Sequence, residues 1–331
     1  MSLLPSPIAV DERGQRVGAV PLAVSAAGLT KRFAQREVVS NLSFDVDQGH
    51  AFGLLGPNGS GKTTTIRLLT GLLTPDGGSV RLFGETVDQS SADELRRRIG
   101  VQTDTSLYDT LSARENLRTW GALYGIPQRA LGARVDEILE ILGLSERAAS
   151  LVGEFSKGMR QKLAVGRAIM HKPDLLFLDE PTAGLDPEAA AELIDHLKGM
   201  IRALRTTVII CTHQLYGLES LCDDIGIIRQ GELLAHGAVG ELLHEMWPEQ
   251  RYTLEVGGDP VHAQRVVAPL VDAEVVADGP AALAFSTPDG ERVAEVVAQL
   301  VRGGVPVRSV IPTRRTVEQF YFATLDEEGR P

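Results

Sequence analysis

At 331 residues, 43% of them apolar, the chain is long enough for one large domain plus a smaller one, and its composition is that of an ordinary globular protein. A net charge of −11 argues against a broad nucleic-acid-binding surface, which needs a basic patch. Two cysteines, Cys211 and Cys222, exclude a disulfide framework and a cysteine-based metal site, so both are expected reduced in a cytosolic protein. No stretch approaches the roughly 18 apolar residues of a spanning helix, and any membrane span must come from a partner.

Pro5, Pro7 and Pro21 lie among small and charged residues, so residues 1–21 are expected to form a weakly ordered extension, too proline-broken for a secretory apolar core. From Leu22, the apolar positions Val24 and Leu29, then Val38, Leu42, Phe44 and Val46, predict a β-rich opening with a turn near Gln35 and Arg36. Phe33 falls at that turn. An aromatic there can stack on a purine ring, although for a lone aromatic core packing is the commoner role.

The apolar run Ala51 to Leu55 leads into Gly56-Pro57-Asn58-Gly59-Ser60-Gly61-Lys62-Thr63-Thr64, which fits G-x-x-x-x-G-K-[ST], and Ile66, Leu68, Leu69 and Leu72 then follow at helical spacing. Strand, glycine loop and helix are the context this motif requires. The glycines let backbone N–H groups converge and the helix N-terminus adds partial positive charge, so the concavity favours a di- or triphosphate. Lys62 is placed to reach the terminal phosphates, and the Thr63 hydroxyl to ligate Mg²⁺.

Beyond a turn at Pro75-Asp76-Gly77-Gly78, a strand is expected from Ser79 to Phe83 and a polar helix from Asp93 to Arg98, whose arginines read as a solvated face. Ile99-Gly100-Val101-Gln102 comes next. Leu111 to Tyr124 reads as a helix with Ser112 as N-cap and Glu115 completing a capping box, and Leu131 to Leu142 as another. Ser156 caps a helix whose first N–H groups, at Lys157, Gly158 and Met159, point outward as an anion site requires; alone, such a pattern is more simply a cap.

Leu175 to Leu178 is a buried-strand run ending in Asp179 and Glu180, and the carboxyl edge of a parallel sheet is where α/β proteins bind ligands. Asp179 is placed to hold Mg²⁺, and Glu180 to orient and deprotonate an attacking water. After Asp186 and a helix to about Leu204, a second buried strand from Thr207 to Cys211 ends at Thr212-His213. His213 emerges beside Glu180 if the two strands are neighbours, where it can sense a γ-phosphate.

With the phosphate loop, Phe155-Ser156-Lys157-Gly158-Met159-Arg160-Gln161, Leu178-Asp179-Glu180-Pro181, Gly184-Leu185-Asp186-Pro187 and Thr212-His213 in this order, the chain resembles the nucleotide-binding subunits of ABC transporters over residues 22 to about 245. The resemblance implies an α/β fold: a RecA-like P-loop NTPase core with an antiparallel β subdomain and a helical subdomain at about 104–170. It also implies ATP and Mg²⁺ as ligands, a separate transmembrane permease that keeps the chain on the inner face of the cytoplasmic membrane, and a head-to-tail homodimer. In that dimer each ATP lies between one chain's phosphate loop and the other's signature. Phe33 falls at the adenine-stacking aromatic, Asp179 and Glu180 at the Walker B aspartate and catalytic glutamate, Ser156 and Gly158 in the signature, Asp186 in the D-loop and His213 at the switch histidine.

Two departures stand out. Lys157 and Met159 replace the signature's first glycine and its glutamine, a form similar to the ABC-2 type exporters of drugs and polysaccharides. The Gln loop, counted from Ile99, lands on Asp104, while the nearby glutamine is Gln102; Gln102 reaches Mg²⁺ through a shortened loop, or the Asp104 carboxylate replaces it. The rival readings are a soluble ABC ATPase acting on ribosomes or DNA, which usually carries two cassettes or a long coiled coil, a weak regulatory module, and an importer subunit.

From about residue 246 the pattern changes to a β-α-β-β-α-β order running from Tyr252 to Val310, with a last helix from Thr316 to Leu325, which suggests a small α+β, ferredoxin-like domain over 246–331. It is expected to be a dimer-stabilising appendage or a ligand sensor, with Phe320, Tyr321 and Phe322 as an exposed docking surface.

Overall fold

A computed structural model describes residues 20–103, 107–204, 206–276, 281–288 and 290–328. The sequence reading of residues 1–19 and of Asp104 therefore lies outside the described residues. The chain divides into two compact units, Met1–Val239 and Gly240–Pro331.

The first unit opens with β1 (Leu22–Phe33) and β2 (Arg36–Asp47), then β3 (Ala51–Leu55), α1 (Lys62–Leu69), β4 (Gly77–Leu82), β5 (Glu85–Thr86), α2 (Ala92–Arg96) and β6 (Ile99–Gln102). Alternating burial along β1 and β2 follows from their alternating apolar residues, and β1, β2, β4 and β5 form an antiparallel sheet in the order β2-β1-β4-β5. Three helices come next: α3 (Ala113–Leu123), α4 (Gln128–Ile141) and α5 (Lys157–Ile169). Ser112 accepts from Glu115 N–H while the Glu115 carboxylate accepts from Ser112 N–H, so the expected capping box starts α3. Then come β7 (Leu175–Asp179), α6 (Pro187–Leu204), β8 (Thr207–Thr212), β9 (Asp224–Arg229) and β10 (Glu232–Ala238).

The main sheet has the order β10-β9-β3-β8-β7-β6, parallel except for its β10 edge. β3, β7 and β8 are buried throughout, which is why they read as unbroken apolar runs. One core joins both sheets and α1: Val24, Leu42, Phe44, Phe52, Leu68 and Phe177 are all buried in it, and the Phe44 and Phe52 rings stack at 4.9 Å. Each such side chain contributes about 1.5–3 kcal/mol of burial, which holds the end of β3 rigidly under the loop that follows. No helix among the described residues is long and apolar enough to cross a membrane.

α7 (Val239–Met246) carries the chain into the second unit, which contains β11 (Gln250–Val256), α8 (Pro260–Val267), β12 (Ala273–Val276), β13 (Ala282–Thr287), α9 (Gly290–Arg302), β14 (Val307–Thr313) and α10 (Val317–Glu328). Its antiparallel sheet has the order β12-β13-β11-β14, and Leu254, Val256, Leu283 and Phe285 bury one face against Ala263 and Val267 of α8 and Val296 and Leu300 of α9. Pro312 lies on the edge strand β14, where a missing N–H discourages pairing with another strand. The expected aromatic docking surface is corrected here. Phe320 and Tyr321 are buried and only Phe322 of the three is exposed, because Val317, Phe320, Tyr321 and Thr324 share one helix face at i, i+3, i+4 and i+7 while Phe322 points away from it.

Candidate active site

β3 delivers the phosphate loop at the carboxyl edge of the main sheet, and β7 and β8 end beside it: Leu55 pairs with Thr212, and Asp179 with Cys211. The loop is pinned at both ends by close backbone approach. A Cβ on Gly56 would lie 2.2 Å from the Ile228 carbonyl oxygen, and Gly56 N–H donates to the Thr212 carbonyl at 3.2 Å. Gly61 has φ 113°, which an L side chain rarely adopts. α1 then begins with no side-chain cap and no acidic residue in its first turn, leaving its positive end available for an anion.

Lys62 is 5% exposed. Its ammonium donates to the Gly56 carbonyl at 2.6 Å and the Pro57 carbonyl at 3.2 Å, and faces Glu180 Oε1 at 3.2 Å. The Thr63 hydroxyl donates to Asp179 Oδ2 at 2.7 Å. Among the described residues Asp179 Oδ1 is buried without a hydrogen-bond partner, and so is Oε1 of Gln102, which sits at the end of β6 opposite Leu178. Burial, with the neighbouring Glu180 charge, pushes the Asp179 carboxyl above its ordinary range against the opposing Thr63 hydrogen bond and Lys62 charge.

Glu180 follows the strand with φ 52°, in the left-handed region, and its N–H donates to the Cys211 carbonyl at 2.7 Å. Its Oε2 accepts from the Thr212 hydroxyl at 3.0 Å, His213 N–H at 3.2 Å and His213 Nδ1 at 2.8 Å. That last contact puts the proton of a neutral His213 on Nδ1. Burial pushes the Glu180 carboxyl up, but the His213 hydrogen bonds and the Lys62 charge outweigh it and hold the group below its ordinary range.

Ser156, Gly158 and Asp186 form a second group, at the starts of α5 and α6. Ser156 Oγ accepts from Met159 N–H at 3.2 Å, and Asp186 Oδ1 accepts from Ala189 N–H at 3.0 Å. The Lys157 ammonium lies where a side chain on Gly184 would stand, so the signature and D-loop segments touch. Thr63 is hydrogen-bonded to Asp179 and His213 to Glu180, consecutive residues at the end of β7, and Lys62 forms an ion pair with Glu180; Ser156 and Asp186 make their own bonds within the starts of α5 and α6. Phe33 ends β1 with 45% of its surface exposed, which removes the core-packing reading, and the Lys31 ammonium is 5.8 Å from its ring centroid. Sequence reasoning passed over Thr212 as a contact of Glu180; a hydroxyl at a strand end next to the emerging histidine was the available signal.

The ABC transporter family profile matches residues 39–183. The linearmycin resistance ATP-binding protein LnrL of Bacillus subtilis (strain 168) is 38% identical over 236 residues, covering 71% of this chain and 75% of that protein. The Nod factor export ATP-binding protein I of Ralstonia nicotianae is 36% identical over 320 residues, covering 96% of this chain and 98% of that one. This chain belongs to the ABC transporter family. As an ABC ATPase it binds and hydrolyses ATP. Its fold is that of cbiO1 from Clostridium perfringens, part of the ABC transporter complex cbiONQ, with a TM-score of 0.64 at 24% identity over 68% of this chain and 92% of that one.

Proposed function

We propose that this ABC ATPase energises a separate ABC-2 type permease in export, working from the inner face of the cytoplasmic membrane as a head-to-tail homodimer. The observation that carries the catalytic part is the convergence of Lys62, Thr63, Asp179, Glu180 and His213 at one sheet edge. Export is supported by the two relatives, one named for linearmycin resistance and the other for Nod factor export. The second of these matches nearly the whole chain, second unit included.

In the proposed reaction, Lys62 leaves Glu180 and the two loop carbonyls for the β- and γ-phosphates, so ATP itself releases the glutamate. Glu180 then orients a water whose oxygen attacks the γ-phosphorus in line and takes its proton, while the bond from that phosphorus to the bridging oxygen breaks and ADP leaves. His213, held on Glu180, reports whether the γ-phosphate is present. Phe33 offers an exposed face for adenine. Ser156 and Gly158 of the second copy bring the N-terminal end of α5 to the γ-phosphate of the first, with Asp186 alongside.

The oxygen donors fit Mg²⁺. Thr63, Asp179 and Gln102 are hard oxygen ligands, and two of their oxygens are buried without partners. When bound there, Mg²⁺ would neutralise charge on the transferred phosphoryl group.

The test uses the full chain as Glu180→Gln, tagged and purified from membranes of its native cell solubilised with ATP present. Co-purification of a stoichiometric polytopic membrane protein is expected. Recovery from the soluble fraction with ribosomal or nucleic-acid partners would refute the transport reading.

A further inference from the structure

Thr212 is 2% exposed, so water does not compete for its hydroxyl. Gln214 N–H reaches Thr212 Oγ1 at 3.0 Å, and a backbone N–H can only donate. The single hydroxyl proton is therefore committed to the other neighbour, Glu180 Oε2, at 3.0 Å. The backbone of the same residue holds the phosphate loop, since its carbonyl accepts Gly56 N–H at 3.2 Å. Thr212 thus fastens the attacking-water residue and the phosphate-binding loop to one point on β8.

The two carboxylate oxygens of Glu180 have different surroundings. Among the described residues Oε2 accepts three donors, from Thr212 and His213, whereas Oε1 faces the Lys62 ammonium at 3.2 Å and has no hydrogen bond. The backbone of Glu180 stands at φ 52°, a conformation that persists only where neighbours over-determine it, and β8 supplies those neighbours through the Cys211 carbonyl below and Thr212 and His213 above. We infer that the Thr212 hydroxyl is a positioning group for ATP hydrolysis: it locks Oε2 of Glu180 so that Oε1 alone faces the reacting water once Lys62 has moved to the phosphates. The inference rests on the proposed role of Glu180 and adds to it a residue that never touches substrate.

The experiment compares Thr212→Val, nearly isosteric but without the hydroxyl, with Thr212→Ser, which keeps it, in the full-length chain. ATP affinity is read with a fluorescent nucleotide, and kcat is read from phosphate release at saturating ATP. A charge-assisted hydrogen bond is lost in the valine variant, so kcat is expected to fall about tenfold with unchanged nucleotide affinity. The serine variant is expected to restore kcat. Wild-type kcat in Thr212→Val, or a serine variant as impaired as the valine one, overturns the inference. Where the valine variant fails to bind nucleotide, Thr212→Ala against Thr212→Ser decides by the same criteria. Glu180→Gln run alongside separates the two levels: if it keeps full turnover, the proposed role of Glu180 falls; if it loses turnover while Thr212→Val does not, only the positioning role falls.

Discussion

Asp179→Asn is expected to make the empty protein more stable and the loaded protein less so. The Asp179 side chain is 8% exposed, Oδ1 lacks a partner, and Glu180 is the next residue, so the site holds a desolvated charge beside another of the same sign. Asparagine keeps an oxygen to accept the Thr63 hydroxyl, which donates at 2.7 Å, and removes the charge. Relieving an electrostatically destabilised site of this kind typically yields about 0.5–2 kcal/mol, or roughly 1–8 °C in Tm for a domain of this size. Because the folded-state pKa of Asp179 is raised above its unfolded value, the charge costs stability at every pH above the folded pKa, and the cost disappears as pH falls below the unfolded pKa. The gain in Asp179→Asn is therefore largest near neutral pH and fades toward about pH 4. With Mg²⁺ and ATP at a hundred times Kd the wild type gains about 2.7 kcal/mol by mass action, and the variant is expected to gain almost none. Thermal denaturation with and without nucleotide, at several pH values, measures both signs. An empty variant that melts below the wild type at pH 7 would refute the reasoning.

Three further outcomes follow from packing and symmetry. Gly56→Ala places a methyl 2.2 Å from the Ile228 carbonyl oxygen and 2.7 Å from Ser60 Oγ, so it is expected to destabilise by about 1–3 kcal/mol and weaken ATP binding, as read by denaturation and by titration. Chains carrying Lys62→Ala and chains carrying Ser156→Arg are each expected to be inactive alone; mixed in equal amounts, half the dimers hold one intact site of two, giving about a quarter of wild-type turnover. No recovery after subunit exchange would contradict the head-to-tail arrangement. Leu254→Ala, at a fully buried position of β11, is expected to cost about 2–5 kcal/mol in urea unfolding.

The chemistry was legible where it is local. A phosphate loop between a buried strand and an amphipathic helix, Ser112 and Ser156 as caps, and Asp179 and Glu180 at the end of an apolar run all follow from neighbours in the chain, and the structure places each where the sequence put it. Boundaries slipped by small amounts: α4 starts at Gln128, not Leu131, because Pro127 can open a helix without a capping hydroxyl. What sequence did not supply is non-local. That β8 lies between β3 and β7 is a pairing across more than a hundred residues, and only this order brings Thr212 to Glu180 and to Gly56 together. The left-handed backbone of Glu180 and the ion pair that Lys62 makes with it likewise depend on three segments meeting at once. The burial of Phe320 and Tyr321 was legible but passed over: with Val317 and Thr324 they stand at i, i+3, i+4 and i+7 and mark one buried face of α10.

The most direct measurement of the central claim is turnover and ATP binding in Glu180→Gln, which removes the charge of the base while keeping an oxygen for the Thr212 and His213 donors. The account predicts tight ATP binding, an ATP-dependent shift to a species of twice the mass, and steady-state hydrolysis reduced to background. Hydrolysis at the wild-type rate, or loss of ATP binding itself, would contradict it.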